Sequence, residues 1–130
     1  MSRPRAQRDE VVFVYNVDFT LFALVSDFVH RLTSPETYPC RLCDLTYDRF
    51  TVKREWKGFV DSLPVRTRVE LRDRFHRKYP AQAAVPLPAV FRRRSDGTLT
   101  TLVGAAEING ARTLDDLTVL VGGAIRTLAL

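Results

Sequence analysis

The hydrophobic pattern opens with Val11-Val12-Phe13-Val14-Tyr15, an unbroken β-branched and aromatic run stopped by Asn16. A strand apolar on both faces must be covered on both, so this segment predicts a central strand. Asp18 is placed to cap a helix from Phe19 to Leu32. Its Leu21, Phe22, Leu24, Val25, Phe28, Val29 and Leu32 spread over more than one stripe, predicting heavy burial. The stretch from Ser34 to Cys40, broken by Pro35 and Pro39, predicts a loop or single turn. Val52, Trp56, Phe59, Val60 and Leu63 recur on one helical face and predict a second helix, ended by Pro64. Val65, Thr67, Val69 and Leu71 then alternate with Arg66, Arg68, Glu70 and Arg72, the period of a strand with one wet face. Asp73 to Tyr79 predicts a short helix with Phe75 and Tyr79 turned inward.

After an alanine-rich connection, Ala89-Val90-Phe91 predicts a strand, joined through the Ser95-Asp96-Gly97-Thr98 turn to Leu99–Val103 as a hairpin. Thr113 with Asp116 three residues on resembles a capping box opening a last helix, with Gly122-Gly123 read as its end. Early alternation of β and α, a late antiparallel pair and a closing helix predict an α/β sandwich on a mixed four-stranded sheet. This order resembles that of thioredoxin-like proteins. They carry a cis proline immediately before the third strand, in sequences that look like Leu87-Pro88-Ala89-Val90-Phe91; the resemblance therefore implies a cis bond at Pro88 and a thioredoxin-like sandwich with an inserted Cys-x-x-Cys segment.

Length adds that 130 residues suit one domain, read here as 11–130 behind a flexible basic tail, 1–10. No run approaches the roughly 20 apolar residues of a membrane span. Arg8, Asp9 and Glu10 interrupt the place where a signal peptide's apolar segment would lie, so the expected location is cytoplasmic. Charge is uneven. Residues 64–94 hold nine basic side chains against two acidic ones within a chain of net charge +5. Such a block suits a positive face for an anionic partner or a solvated strand face. Exposed aromatics and a nucleic-acid-binding motif are missing, which argues against nucleic acid.

The most specific chemistry lies in the chain's two cysteines, Cys40-Arg41-Leu42-Cys43. This spacing lets both sulfurs meet at one turn, as a reversible disulfide or as half of a metal site. In redox use one sulfur attacks as the thiolate and the other resolves, with Arg41 or a helix N-terminus supplying positive potential. The partner would be a protein thiol or disulfide. The cysteines stand away from the end of the first strand, where ordinary thioredoxins carry theirs; Tyr15-Asn16-Val17-Asp18 occupies that position. In the alternative, zinc or another soft metal needs further ligands: His30, His76, Asp44, Asp48, or a second pair across a homodimer. A third reading leaves the pair structural. Asn16 and Asp18 are candidate pocket residues at the strand edge where α/β sheets bind ligands, with helix capping the stronger reading. Tyr38 and Tyr47 flank the cysteines, shielding a reactive sulfur or packing the insertion. Nucleotide-binding, serine-hydrolase and zinc-protease motifs are missing.

Tyr15-Asn16, Leu21-Phe22, Tyr38-Pro39-Cys40-Arg41-Leu42-Cys43-Asp44-Leu45-Thr46 and Lys53-Arg54-Glu55-Trp56-Lys57-Gly58-Phe59 together resemble a family of short bacterial proteins. Leu87-Pro88-Ala89 and the Glu107-Ile108-Asn109 segment, read as the exit of the hairpin, also look like that family. The likeness spans about 11–121, and its cysteine segment is the most specific part. It implies family membership and no activity; the GTPase label given to some members would need a phosphate-binding loop that this chain lacks. Taken together, the residues predict a thiol redox or redox-sensing protein without a cofactor, against a non-catalytic binding module holding zinc and a basic face.

Overall fold

The computed structural model describes residues 9–16, 41–48 and 51–128. The helix read over Phe19–Leu32, the segment from Ser34 to Cys40 and residues 1–8 of the tail lie outside the described residues. The elements are β1 (Glu10–Tyr15), α1 (Arg41–Thr46), β2 (Tyr47–Asp48), β3 (Thr51–Val52), α2 (Arg54–Asp61), β4 (Arg66–Leu71), α3 (Arg72–Lys78), a 3₁₀ turn (Pro80–Gln82), β5 (Ala89–Arg93), β6 (Leu99–Val103), α4 (Ala105–Gly110) and α5 (Leu114–Arg126).

Four strands form one mixed sheet in the order β4-β1-β5-β6. β1 runs parallel to β4 and antiparallel to β5, and β6 is antiparallel to β5. The central position predicted for the Val11–Tyr15 run is observed, and all six residues of β1 are buried. Alternation along β1 divides the core. Val11, Phe13 and Tyr15 join Leu42 and Leu45 of α1, Trp56 of α2, Ile108 of α4 and Leu117, Val121 and Ile125 of α5 on one face. Val12 and Val14 join Phe75 of α3 with Ala89 and Phe91 on the other. Each face has an aromatic anchor: Trp56 stands edge-on to Phe13 with centroids 5.6 Å apart, and Phe75 stacks on Phe91 at 4.9 Å.

The ordered strand also reaches further back than the tail read over 1–10. Glu10 begins β1 and Asp9 is buried, because both carboxylates are paired. Asp9 Oδ2 accepts from Arg92 Nε at 3.0 Å and from Nη2 at 2.6 Å, and Glu10 Oε1 lies 3.3 Å from Arg68 Nε.

Other differences have local causes. The second helix starts at Arg54 because Val52 pairs with Tyr47 in the short β2–β3 hairpin, and Lys53 N–H donates to the Thr46 carbonyl at 2.7 Å. β4 does not follow its wet-face pattern at two positions. As the neighbour of β1 alone it leaves Val69 55% exposed, while Glu70 is buried where Lys78 Nζ donates to it at 2.6 Å. Glu107-Ile108-Asn109 lies within helix α4, with Ile108 in the core. The capping box at Thr113 forms as read: Asp116 N–H donates to Thr113 Oγ1 at 3.0 Å. The helix it opens continues through Gly122-Gly123 to Arg126, because Leu117, Val121 and Ile125 extend one buried stripe past the glycines. Gly122 faces the Phe59 ring, where a Cβ would sit at 3.6 Å, an ordinary van der Waals contact, so α5 packs on α2 at this point. In the β5–β6 turn Gly97 has φ +91°, a left-handed value that favours glycine, and its N–H donates to the Arg94 carbonyl at 2.8 Å.

Among the described residues no helix is long and apolar enough to cross a membrane.

Removing one member of a buried charged pair strands the other. We expect Arg92→Leu to destabilise the fold by about 3–5 kcal/mol, against about 0.5 kcal/mol or less for Arg94→Leu, an exposed residue of the same block. Urea denaturation of both variants measures the difference.

Candidate functional site

β1 ends where several sequence candidates gather. Ala89 pairs with Val14, so buried Pro88, just before Ala89, sits at the end of the sheet occupied by Tyr15 and Asn16. The Leu87–Pro88 peptide is cis, as the thioredoxin-like resemblance implies. The amide of Asn16 accepts a hydrogen bond from Arg72 Nη1 at 3.1 Å, tying the exit of β1 to the start of α3.

Helix α1, which carries Cys43, is fastened to that same end. Leu42 and Leu45 enter the core three residues apart, as one helical face does. Thr46, fully buried, closes the helix with its hydroxyl, which donates to the Leu42 carbonyl at 2.7 Å. A hydroxyl has one proton to give. The 2.9 Å bond between Thr46 Oγ1 and the Tyr15 hydroxyl therefore runs from Tyr15 to Thr46. Strand and helix are joined by a chain of two hydrogen bonds, Tyr15 to Thr46 to the Leu42 carbonyl, within the apolar core.

Burial dominates the electrostatics of this junction. Removal from water pushes the Tyr15 phenol well above its ordinary value, outweighing the opposite effect of the Thr46 bond, and Tyr47 adds to the rise. Tyr47 is itself raised by burial, and its ring stands edge-on to Tyr15 with centroids 5.8 Å apart. Tyr47 thus packs the cysteine-bearing segment onto the strand, one of the two roles its sequence position allowed.

Cys43 is half-buried, packs against the same core and is disulfide-bonded. The chain has one other cysteine, Cys40, which lies outside the described residues, as do Asp18, His30 and Tyr38. Of the residues singled out from sequence, Asn16 and Pro88 lie at the same end of the sheet, and Cys43 and Tyr47 belong to the segment docked on Tyr15. Tyr15 and Thr46 were not singled out. Their signal was a polar tip at the end of an apolar run and a threonine closing the cysteine segment, neither of which reveals its partner 31 positions away.

Among the described residues no group of three or more His, Cys, Asp or Glu side chains is placed to hold a metal ion. His76 lies half-buried on α3 and tilts against Phe75, with its Nε2 buried and without a hydrogen-bond partner. Nor is the Arg-rich block one face: Arg92 turns to Asp9 on one side of the sheet, while Arg68 turns to Glu10 on the other.

Removing either end of the Tyr15–Thr46 bond should have unequal consequences. Thr46→Val strands a buried phenol donor and should cost about 1–3 kcal/mol, whereas Tyr15→Phe should cost about 1 kcal/mol. The double variant should cost less than the sum, a coupling read from urea melts of all four proteins. At high pH the sign follows from the raised phenol. The unfolded tyrosine ionises near pH 10 while folded Tyr15 stays protonated, so stability is full below about pH 10 and falls above it by up to about 1.4 kcal/mol per pH unit. Tyr15→Phe should flatten that alkaline slope in the same melts.

Comparison with protein-family models, with curated proteins and with solved structures finds no match.

Proposed function

We propose that the chain is a thiol redox or redox-sensing protein in which Cys40 and Cys43 interconvert between dithiol and disulfide. The observation that carries this reading is the disulfide-bonded Cys43 on α1, a helix whose neighbouring side chains Leu42, Leu45 and Thr46 are built into the core. In the oxidising direction a thiolate of the pair attacks a sulfur of a partner protein's disulfide, forming a mixed disulfide and expelling the partner's other thiolate. The second cysteine then attacks its neighbour's sulfur, closing the Cys40–Cys43 bond and releasing the partner as a dithiol. Two electrons and two protons pass from this chain to the partner, and reduction reverses both steps.

A thioredoxin-like sandwich is the frame we infer for this chemistry. It is supported by the order of elements around the mixed sheet, by the late β5–β6 pair and closing helix, and by a cis proline directly ahead of β5. The pair is displaced from the end of β1 along the chain, yet α1 returns to that end through Thr46. This arrangement suits sensing. A change at Cys43 occurs on a helix of six residues whose packing includes the hydrogen bond that anchors it to β1. Zinc held by the two cysteines is the competing reading.

Native mass spectrometry with and without reductant tests the proposal. The expected outcome is a reversible loss of two hydrogens on oxidation, with a single two-electron transition in glutathione buffers and no transition in Cys40→Ser/Cys43→Ser. Zinc bound in stoichiometric amount and lost in the double serine variant would overturn it, as would free thiols that stay unchanged across those buffers.

A further inference from the structure

A second feature of the molecule lies away from Cys43, on the face of the sheet that carries α3. Glu10, Arg66, Arg68, Lys78, Tyr79 and Arg93 line a polar pocket of about 300 Å³. Its floor follows from strand register. Glu10 is the Cα partner of Arg66 on β4 and of Arg93 on β5, which sets one carboxylate between two arginines across three adjacent strands. Cross-strand partners share a face, and the next pair, Val12 with Arg68, is displaced by one step of the pleat. The end of α3 brings Lys78 and Tyr79 over this row, with Tyr79 held by its ring contact to Phe75 at 5.4 Å.

The carboxylates present do not neutralise these cations. Arg68 lies 3.3 Å from Glu10 and 3.7 Å from Glu70, and Lys78 lies 2.6 Å from Glu70. Two cations are thus matched by two anions. Arg66 and Arg93 then remain, and among the described residues no carboxylate pairs with either. Like charges held at one pocket repel, so an arrangement that leaves two guanidinium groups there favours a ligand bringing two negative charges. Arginine is suited to that ligand, because its planar fork donates two parallel hydrogen bonds to phosphate oxygens. The volume is at the lower end of small-molecule sites.

We propose that this pocket is a binding site for a small phosphate-bearing molecule, with Arg66 and Arg93 gripping the phosphate group, the paired Arg68 and Lys78 flanking it, and Tyr79 forming the wall against the remainder. The site is separate from Cys43, which packs against the core on the opposite face of the sheet. It also narrows the role of the basic block: Arg92 is committed to Asp9 and Arg72 to Asn16, and neither lines the pocket.

Calorimetric titration of the full chain with inorganic phosphate, pyrophosphate and phenyl phosphate tests the assignment. We expect saturable one-to-one binding of at least one probe, weakened about tenfold or more in Arg66→Ala/Arg93→Ala, as loss of two charge-assisted hydrogen bonds implies. Arg54→Ala/Arg112→Ala, which removes the same charge from exposed positions outside the pocket, should change affinity less than about twofold. Cys40→Ser/Cys43→Ser should bind as the parent does. Stronger binding of pyrophosphate than of phenyl phosphate assigns the site to an inorganic or diphosphate group, and the reverse order to a phosphate ester. Circular dichroism establishes that each variant is folded, and Arg66→Lys/Arg93→Lys, which retains the charge, should recover part of the affinity. Equal weakening in the two alanine variants would overturn the proposal. So would failure of all three probes to saturate, or a single-stranded oligonucleotide binding where they do not.

Discussion

The fold depends on β1 being covered on both faces. Six consecutive residues are buried, so each must be satisfied by something distant in sequence, and the parity of each position decides what. Odd positions recruit α1, α2, α4 and α5 around Phe13 and Tyr15, and even positions recruit α3 and β5 around Val12 and Val14. The same alternation disposes of the charges at the start of the strand. Asp9 turns to the odd face and meets Arg92, while Glu10 turns to the even face and meets Arg68. A one-residue slip of this strand would exchange the faces and bury the carboxylates against the wrong partners, so these pairs help hold register.

Much of the fold could be read from sequence where the physics is local. The apolar run of β1, the face carrying Trp56, the Gly97 turn and the Thr113 capping box depend on residues within a turn or two of one another, and each forms. What escaped depends on distant partners. Glu70 alternates like an outward strand position, yet it is buried because Lys78 lies beside it on the next helix. Gly122-Gly123 has the composition of a helix end, yet buried Ile125 and the nearby Phe59 ring carry the helix onward. The β2–β3 hairpin is two residues on each strand, too short to imprint a period.

The candidate site shows the same division. A Cys-x-x-Cys spacing is visible by inspection, and so is a proline before a strand. The element that relates them is not: a phenol at the end of β1 donating to a threonine one turn of chain beyond Cys43. The basic block gives the converse case. Its charge is conspicuous in composition, but pairing sorts it, committing Arg92 to an ion pair with buried Asp9 and leaving Arg66 and Arg93 at a pocket beside Glu10. Charge count signals attraction for anions, and only strand register says which cations converge.

In the proposed sensing role, the state of the cysteine pair is coupled to the docking of α1 on Tyr15. Amide hydrogen exchange compared between the oxidised and the reduced chain tests it most directly, because local opening is resolved residue by residue. The account predicts that reduction speeds exchange at residues 42–46 by about tenfold or more, the loss of about 1.4 kcal/mol of local stability, while the amides of β1 and β5 keep their protection. Identical protection of 42–46 in both states would contradict it.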